Sequence, residues 1–165
     1  MLRWTTALLA GMLFGLAGLS AQSPSAADFR PMEALVGTCW IGTFPDGKRT
    51  DEHCFEWVFD RKFIRDRHVV RGGPSYQGET LYGWDVEARK LSWWYWSSDG
   101  TMMVGRVEYT PDGIVFPSRF TTPGGEVEIK AVWDRVGKDG YRVAQSQKTA
   151  TGWKSLWTME MSRKP

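Results

Sequence analysis

Met103-Val104-Gly105-Arg106-Val107-Glu108-Tyr109-Thr110-Pro111-Asp112-Gly113-Ile114-Val115-Phe116 reads as a strand, a tight turn and a second strand. Met103, Val107 and Tyr109 alternate with Arg106 and Glu108, the period of a half-buried strand. In Pro111-Asp112-Gly113 the proline presets φ, the aspartate bonds nearby backbone and the glycine allows positive φ. Pairing Tyr109 with Ile114 also sets Val107 on Phe116 and Met103 on Phe120, so one apolar face crosses both strands.

The same unit repeats along the chain. Turn signals at Pro45-Asp46-Gly47-Lys48, Ser98-Asp99-Gly100, Pro123-Gly124-Gly125, Lys138-Asp139-Gly140 and Ala150-Thr151-Gly152 divide residues 36–163 into short runs. The expected strands are 36–44, 49–59, 63–71, 79–86, 91–97, 101–109, 114–120, 126–134, 140–147 and 153–162. Loops this short join antiparallel neighbours, because a parallel crossover needs a dozen or more residues. A meander of about ten strands hides its edges by closing, which predicts an all-β, up-and-down antiparallel barrel. The long connection is Gly72 to Gly78, a candidate rim or lid.

The first 21 residues stand apart from this pattern. Met1-Leu2-Arg3 is cationic, Ala7 to Leu19 is apolar but too short to span a bilayer, and Ser20-Ala21-Gln22 or Ala27 offers a cleavage site. This predicts a Sec-type signal peptide over 1–21 and export to a periplasmic or secreted location. Residues 22–35 would form an N-terminal segment and 36–165 the barrel domain. Within that segment Asp28 to Leu35 predicts a short helical turn, with Asp28 as cap and Pro31 in the first turn.

The chain carries 21 basic and 19 acidic residues, a net charge of +2, with no block of like charge. No nucleic-acid partner and no stable membrane anchor is expected, and the protein should be a monomer. Cys39 and Cys54 are the two cysteines. A hairpin centred on Asp46-Gly47 puts Phe44 opposite Arg49 and Cys39 opposite Cys54 at a non-hydrogen-bonded site, which predicts a disulfide.

Alternation assigns Val127, Ile129, Ala131 and Trp133 to one face and Glu126, Glu128, Lys130 and Asp134 to the other. Extended round the barrel, it predicts an inner face bearing Trp40, Phe55, Trp57, Trp94, Trp96, Phe116, Phe120, Trp133, Trp153 and Trp157. These bulky rings either line a ligand cavity or fill the barrel.

The stretch Pro31-Met-Glu-Ala-Leu-Val-Gly-Thr-Cys-Trp-Ile-Gly42 resembles the calycin barrels, above all the lipocalin-like bacterial barrels and nitrobindin. Tyr76-Gln-Gly-Glu-Thr-Leu-Tyr-Gly-Trp-Asp85 and Tyr95-Trp-Ser-Ser-Asp-Gly100 strengthen the likeness to the lipocalin-like group. The resemblance covers residues 28–163 and implies a ten-stranded barrel whose apolar pocket is closed at one end by the N-terminal helical turn. Nitrobindin holds haem through a histidine on a late strand, whereas His53 and His68 are both early. The Arg-x-Tyr pair of the related fatty-acid-binding proteins has no match in Tyr141-Arg142. No cofactor is therefore expected.

His53 falls opposite Trp40. A two-residue turn at Arg61-Lys62 would bring Asp66 and His68 to the inner face as well, with the two histidines as diagonal neighbours. A turn of three residues, Asp60-Arg61-Lys62, would instead turn Arg65 and Arg67 inward, toward an anionic headgroup. A third possibility is no polar chemistry at all. Two histidines and one aspartate are thin for a metal, and none is expected. Gln145 and Gln147 share a face with Tyr141 and Val143 and could bond a ligand or each other. The leading expectation is an exported barrel that binds a small apolar or aromatic ligand. Alternatives are an isomerase- or cyclase-type enzyme using His53, Asp66 and His68, and a binding or inhibitor module acting through its loops.

Overall fold

Each hairpin signal becomes an antiparallel pair in the computed structural model, which describes residues 26–122 and 125–165. The signal segment expected over 1–21 lies outside the described residues. A 3₁₀ helix, Ala26–Leu35, precedes β1 (Thr38–Thr43), β2 (Thr50–Val58), β3 (Phe63–Arg71), β4 (Tyr76–Asp85), β5 (Lys90–Ser97) and β6 (Met102–Arg106). Then follow β7 (Glu108–Thr110), β8 (Gly113–Thr122), β9 (Gly125–Asp134), β10 (Gly140–Thr149) and β11 (Gly152–Arg163). The sheet order β6-β5-β4-β3-β2-β1-β11-β10-β9-β8-β7 brings the last strand beside the first, giving a nearly closed barrel.

The extra strand comes from a split in the expected sixth. Residues up to Val107 stay with β5: Ser92 pairs with Arg106, and Val107 N–H donates to the Leu91 carbonyl at 2.9 Å. Beyond it Tyr109 pairs with Ile114, as expected. The expected Val107–Phe116 and Met103–Phe120 pairs do not form, because β6 and β8 share no ladder. Pro117 lines the outer cleft at this seam with Val104, Gly105 and Arg106, and a proline suits a position that owes no N–H to a neighbour.

The first hairpin holds the expected register. Phe44 N–H donates to the Arg49 carbonyl, Cys39 pairs with Cys54, and the two are joined in a disulfide. Asp46 accepts from the Lys48 and Arg49 amides, which closes the turn.

The helix closes one end. Phe29, Met32 and Leu35 are fully buried there, and the Trp40 indole donates to the Leu35 carbonyl at 2.9 Å. Phe29 meets Trp57 edge-on at 5.3 Å. Trp40, Phe55 and Trp57 thus form a floor beneath the helix. The other end is ringed by the β1–β2 turn and the β3–β4 connection. That connection is shorter than expected: Tyr76, Gln77 and Gly78 already belong to β4. Gly72 has φ +84°, and a Cβ there would lie 2.2 Å from the Lys48 carbonyl oxygen. Only glycine lets the connection pack on the first turn at that distance.

Two face assignments are reversed. Asp85 pairs with Lys90 across a four-residue turn, so Tyr82 pairs with Trp93 and Thr80 with Tyr95. Trp93 and Tyr95 therefore face inward, while Trp94 and Trp96 face outward. Trp94 stands near Phe63 on the outer surface, and Trp96 is exposed. In β11 the register shifts where Gln145 faces Trp157 and Ser146 faces Ser155, leaving Leu156 as an extra residue. A bulge of one residue flips the strand before it. Trp157 stays inside, whereas Trp153 lies outside beneath the Lys130 and Lys148 ammonium groups, at 4.5 and 5.1 Å from its ring centre.

Candidate functional site

The upper half of the barrel holds a cavity of about 570 Å³ that opens at the rim. Tyr82, Trp93, Met103, Phe116, Trp133, Trp157 and Met159 form most of its wall. Phe44, Arg49, Pro74 and Tyr76 stand nearer its mouth. The volume falls within the range of about 300–1,000 Å³ typical of small-molecule sites. The barrel is therefore hollow above its aromatic floor.

One wall of the cavity is polar. It is set by the β2–β3 turn, whose length differs from both alternatives drawn from the sequence. Phe59 to Lys62 forms a four-residue loop, with Phe59, Asp60 and Arg61 all at positive φ. His53 consequently pairs directly with His68, and Phe55 with Asp66. Asp66 and His68 face inward, but the histidines are direct rather than diagonal neighbours. Their rings stack with centres 4.8 Å apart. The inward placement of Arg65 and Arg67 does not occur: both lie outside, paired with Glu56.

Asp51, two residues before His53 on the same strand face, completes the group. The side chains form a continuous chain. Asp66 accepts from His53 Nδ1 at 2.9 and 3.1 Å, and Asp51 Oδ2 lies 3.2 Å from His53 Nε2. Asp51 Oδ1 accepts from His68 Nδ1 at 3.1 Å. His68 Nε2 meets the Tyr95 hydroxyl at 3.1 Å, and that hydroxyl bonds the hydroxyl of Tyr76 near the mouth. The chain runs from the barrel floor to its rim.

Burying so many polar groups is tolerable only because each is bonded to another. Burial of the His53 imidazole is the largest single influence on it and opposes its charge. The Asp66 charge and the hydrogen bonds to Asp51 and Asp66 outweigh that, and its pKa is pushed up to about 10. For Asp51 burial again comes first and opposes ionisation, but hydrogen bonds and charge from His53 and His68 hold its carboxyl well below the usual range. Burial and the bond to Tyr76 push the Tyr95 phenol upward.

Of the ring residues expected to contact a ligand, Phe116, Trp133 and Trp157 line the cavity. Trp40, Phe55 and Trp57 lie beneath it, and Trp94 and Trp96 lie outside. Phe120 shares the Phe116 side of β8 but is not among the lining residues. Gln145 lines the cavity and Gln147 does not. Sequence reasoning missed Asp51, Tyr76, Thr80, Tyr82, Trp93 and Tyr95. Alternation extended back from His53 and Phe55 would have placed Asp51 on the inner face. Tyr82, Trp93 and Tyr95 needed the β4–β5 register. Neither protein-family models nor curated proteins give a match to this chain.

Proposed function

We propose that this protein is an exported barrel that binds one small, largely apolar or aromatic molecule in the upper cavity. The observation that carries the reading is an open space of about 570 Å³ walled by aromatic rings, with polar groups gathered on one side. Apolar surface buried against Tyr82, Trp93, Phe116, Trp133 and Trp157 would supply affinity at about 25 cal/mol per Å², before the costs of ordering. The His68–Tyr95–Tyr76 edge of the polar wall would orient the ligand by its hydrogen-bonding end. The likeness to lipocalin-like barrels supports the reading at the level of fold.

Export is supported by the cationic start, the thirteen-residue apolar run and the Cys39–Cys54 disulfide, which suits an oxidising compartment. Among the described residues no helix is long and apolar enough to cross a membrane. A hollow barrel favours a binding cavity over action through the loops alone.

Native mass spectrometry of protein purified from its own host tests the reading. The expected spectrum contains a complex of the chain with one small molecule, released on denaturation. Protein that carries nothing, and that takes up no apolar or aromatic compound from a broad library, contradicts it. Recovery of an added compound in chemically altered form would move the reading to the enzyme alternative.

A further inference from the structure

The polar wall has the composition and spacing of a metal centre. Asp51, His53 and His68 each offer one ligand atom within 4.8 Å of the others. His53 Nε2 lies 3.2 Å from Asp51 Oδ2, and His68 Nδ1 lies 3.1 Å from Asp51 Oδ1, so each histidine faces its own oxygen of one carboxylate. Ligands about 2.0–2.1 Å from a tetrahedral zinc ion stand about 3.3 Å apart. The Asp51–histidine spacings are within a few tenths of an ångström of that value. The sequence alone offered two histidines and Asp66; Asp51 supplies the third ligand, and Asp66 takes a different place.

That place is behind His53. A ligating histidine ordinarily donates its other ring N–H to a carboxylate or similar acceptor, which fixes the ring and raises its basicity. Here Asp66 accepts from His53 Nδ1–H at 2.9 Å and the Tyr95 hydroxyl stands 3.1 Å from His68 Nε2. Both histidines therefore have an outer partner while Nε2 of His53 and Nδ1 of His68 point to the same carboxylate. The frame is rigid: Asp51 and His53 lie on one strand, His68 directly opposite, and the Cys39–Cys54 disulfide ties the residue after His53 to β1.

Charge points the same way. Asp51 and Asp66 bring two carboxylates into the barrel beside the two imidazoles, a donor set that suits a divalent cation. Among the described residues, the other grouping of potential ligands, Cys39, Glu52 and Cys54, is excluded because its thiols form the disulfide.

We propose that Asp51, His53 and His68 bind one divalent transition-metal ion of the zinc class, with Asp66 and Tyr95 as outer partners. Three protein ligands leave a coordination position open toward the cavity, the arrangement of reactive rather than purely structural zinc sites. A cavity ligand could occupy it through a carboxylate, phenolate or thiolate. The proposal goes beyond the small-molecule reading and is tested without any organic ligand.

The experiment is a Co²⁺ titration of tag-free, chelator-treated full chain near pH 7.5, followed by visible absorption and calorimetry, with Zn²⁺ as competitor. One equivalent is expected to bind, with the intense visible bands of a four-coordinate site, and Zn²⁺ is expected to displace it. Asp51→Asn and His68→Ala should abolish the bands. Asp66→Asn and Tyr95→Phe keep all three ligands and should weaken binding by a factor of about 10–100 and less than that, respectively. Circular dichroism checks that each variant is folded. Should a ligand variant fail to fold, the wild-type titration and Asp66→Asn still decide. Absence of saturable one-equivalent binding by the wild type overturns the proposal. So does binding that folded Asp51→Asn, His68→Ala or Asp66→Asn protein retains unchanged.

Discussion

Gly78→Ala isolates the close approach on which the polar wall depends. Gly78 lies on β4 opposite His68 on one side and Ser97 on the other. A Cβ there would be 2.5 Å from His68 Nε2 and 2.6 Å from both the Tyr95 hydroxyl and ring edge. The glycine is what allows the two side chains to meet above the strand. Its φ is not in the left-handed region, so the backbone would accept alanine without strain, and the added methyl is the only steric change. If the space were open, alanine would gain about 0.5–1 kcal/mol relative to glycine. Instead the rings must part. That costs the His68–Tyr95 hydrogen bond, about 1 kcal/mol, together with an overpacking cost of about 1–3 kcal/mol. The net expectation is a loss of about 1–3 kcal/mol. Urea unfolding followed by tryptophan fluorescence should show a lower midpoint with an unchanged slope. Gly137→Ala is the control, because a Cβ there meets nothing closer than 3.9 Å; it should change stability by less than about 1 kcal/mol. A Gly78→Ala protein as stable as the wild type would refute the packing described at the polar wall.

The strands were legible wherever turn chemistry was explicit. Asp46-Gly47 and the two cysteines specify one register by independent routes, and Pro111-Asp112-Gly113 set the Tyr109–Ile114 pair. The faces were harder to read. Trp93-Trp94-Tyr95-Trp96 is aromatic at every position, so its alternation carries no sign, and only the length of the Val86–Arg89 turn decides which pair is inside. The β2–β3 turn was illegible for a related reason. Phe59, Asp60 and Arg61 adopt positive φ, and the loop contains no glycine that would announce it. The break at Val107 and the extra Leu156 sit inside continuous strand-like runs with no glycine, proline or other turn signal at the position to mark them. Asp51 could have been found, since it follows the same parity as His53. A lone charged residue between turn and strand nevertheless reads more readily as solvated.

Three further expectations follow from these placements. Trp93→Ala should cost about 3–5 kcal/mol in chemical denaturation, since it removes a buried ring and its indole bond to the Arg106 carbonyl; Trp94→Ala should cost less than half as much, and the reverse order would mean that the faces of β5 are misassigned. The Tyr141 hydroxyl is buried without a hydrogen-bond partner, so Tyr141→Phe should raise stability by about 1 kcal/mol; a loss of that size would reveal a partner for the hydroxyl. Replacing Cys39 and Cys54 together by alanine should cost about 3 kcal/mol, the loop-entropy value for a bridge spanning 15 residues, and an unchanged urea midpoint would show that the bridge contributes nothing.

Binding of a small aromatic or apolar molecule in the upper cavity is the proposed function. Its most direct measurement is equilibrium titration of the protein with a fluorescent aromatic probe such as an anilinonaphthalene, read by quenching of tryptophan emission and by calorimetry. Trp93, Trp133 and Trp157 line the space, so saturable quenching with one site per chain is expected. Ala131→Trp, which places an indole at a lining position, should abolish probe binding in a folded protein. Quenching that never saturates, or that Ala131→Trp leaves unchanged, would contradict it.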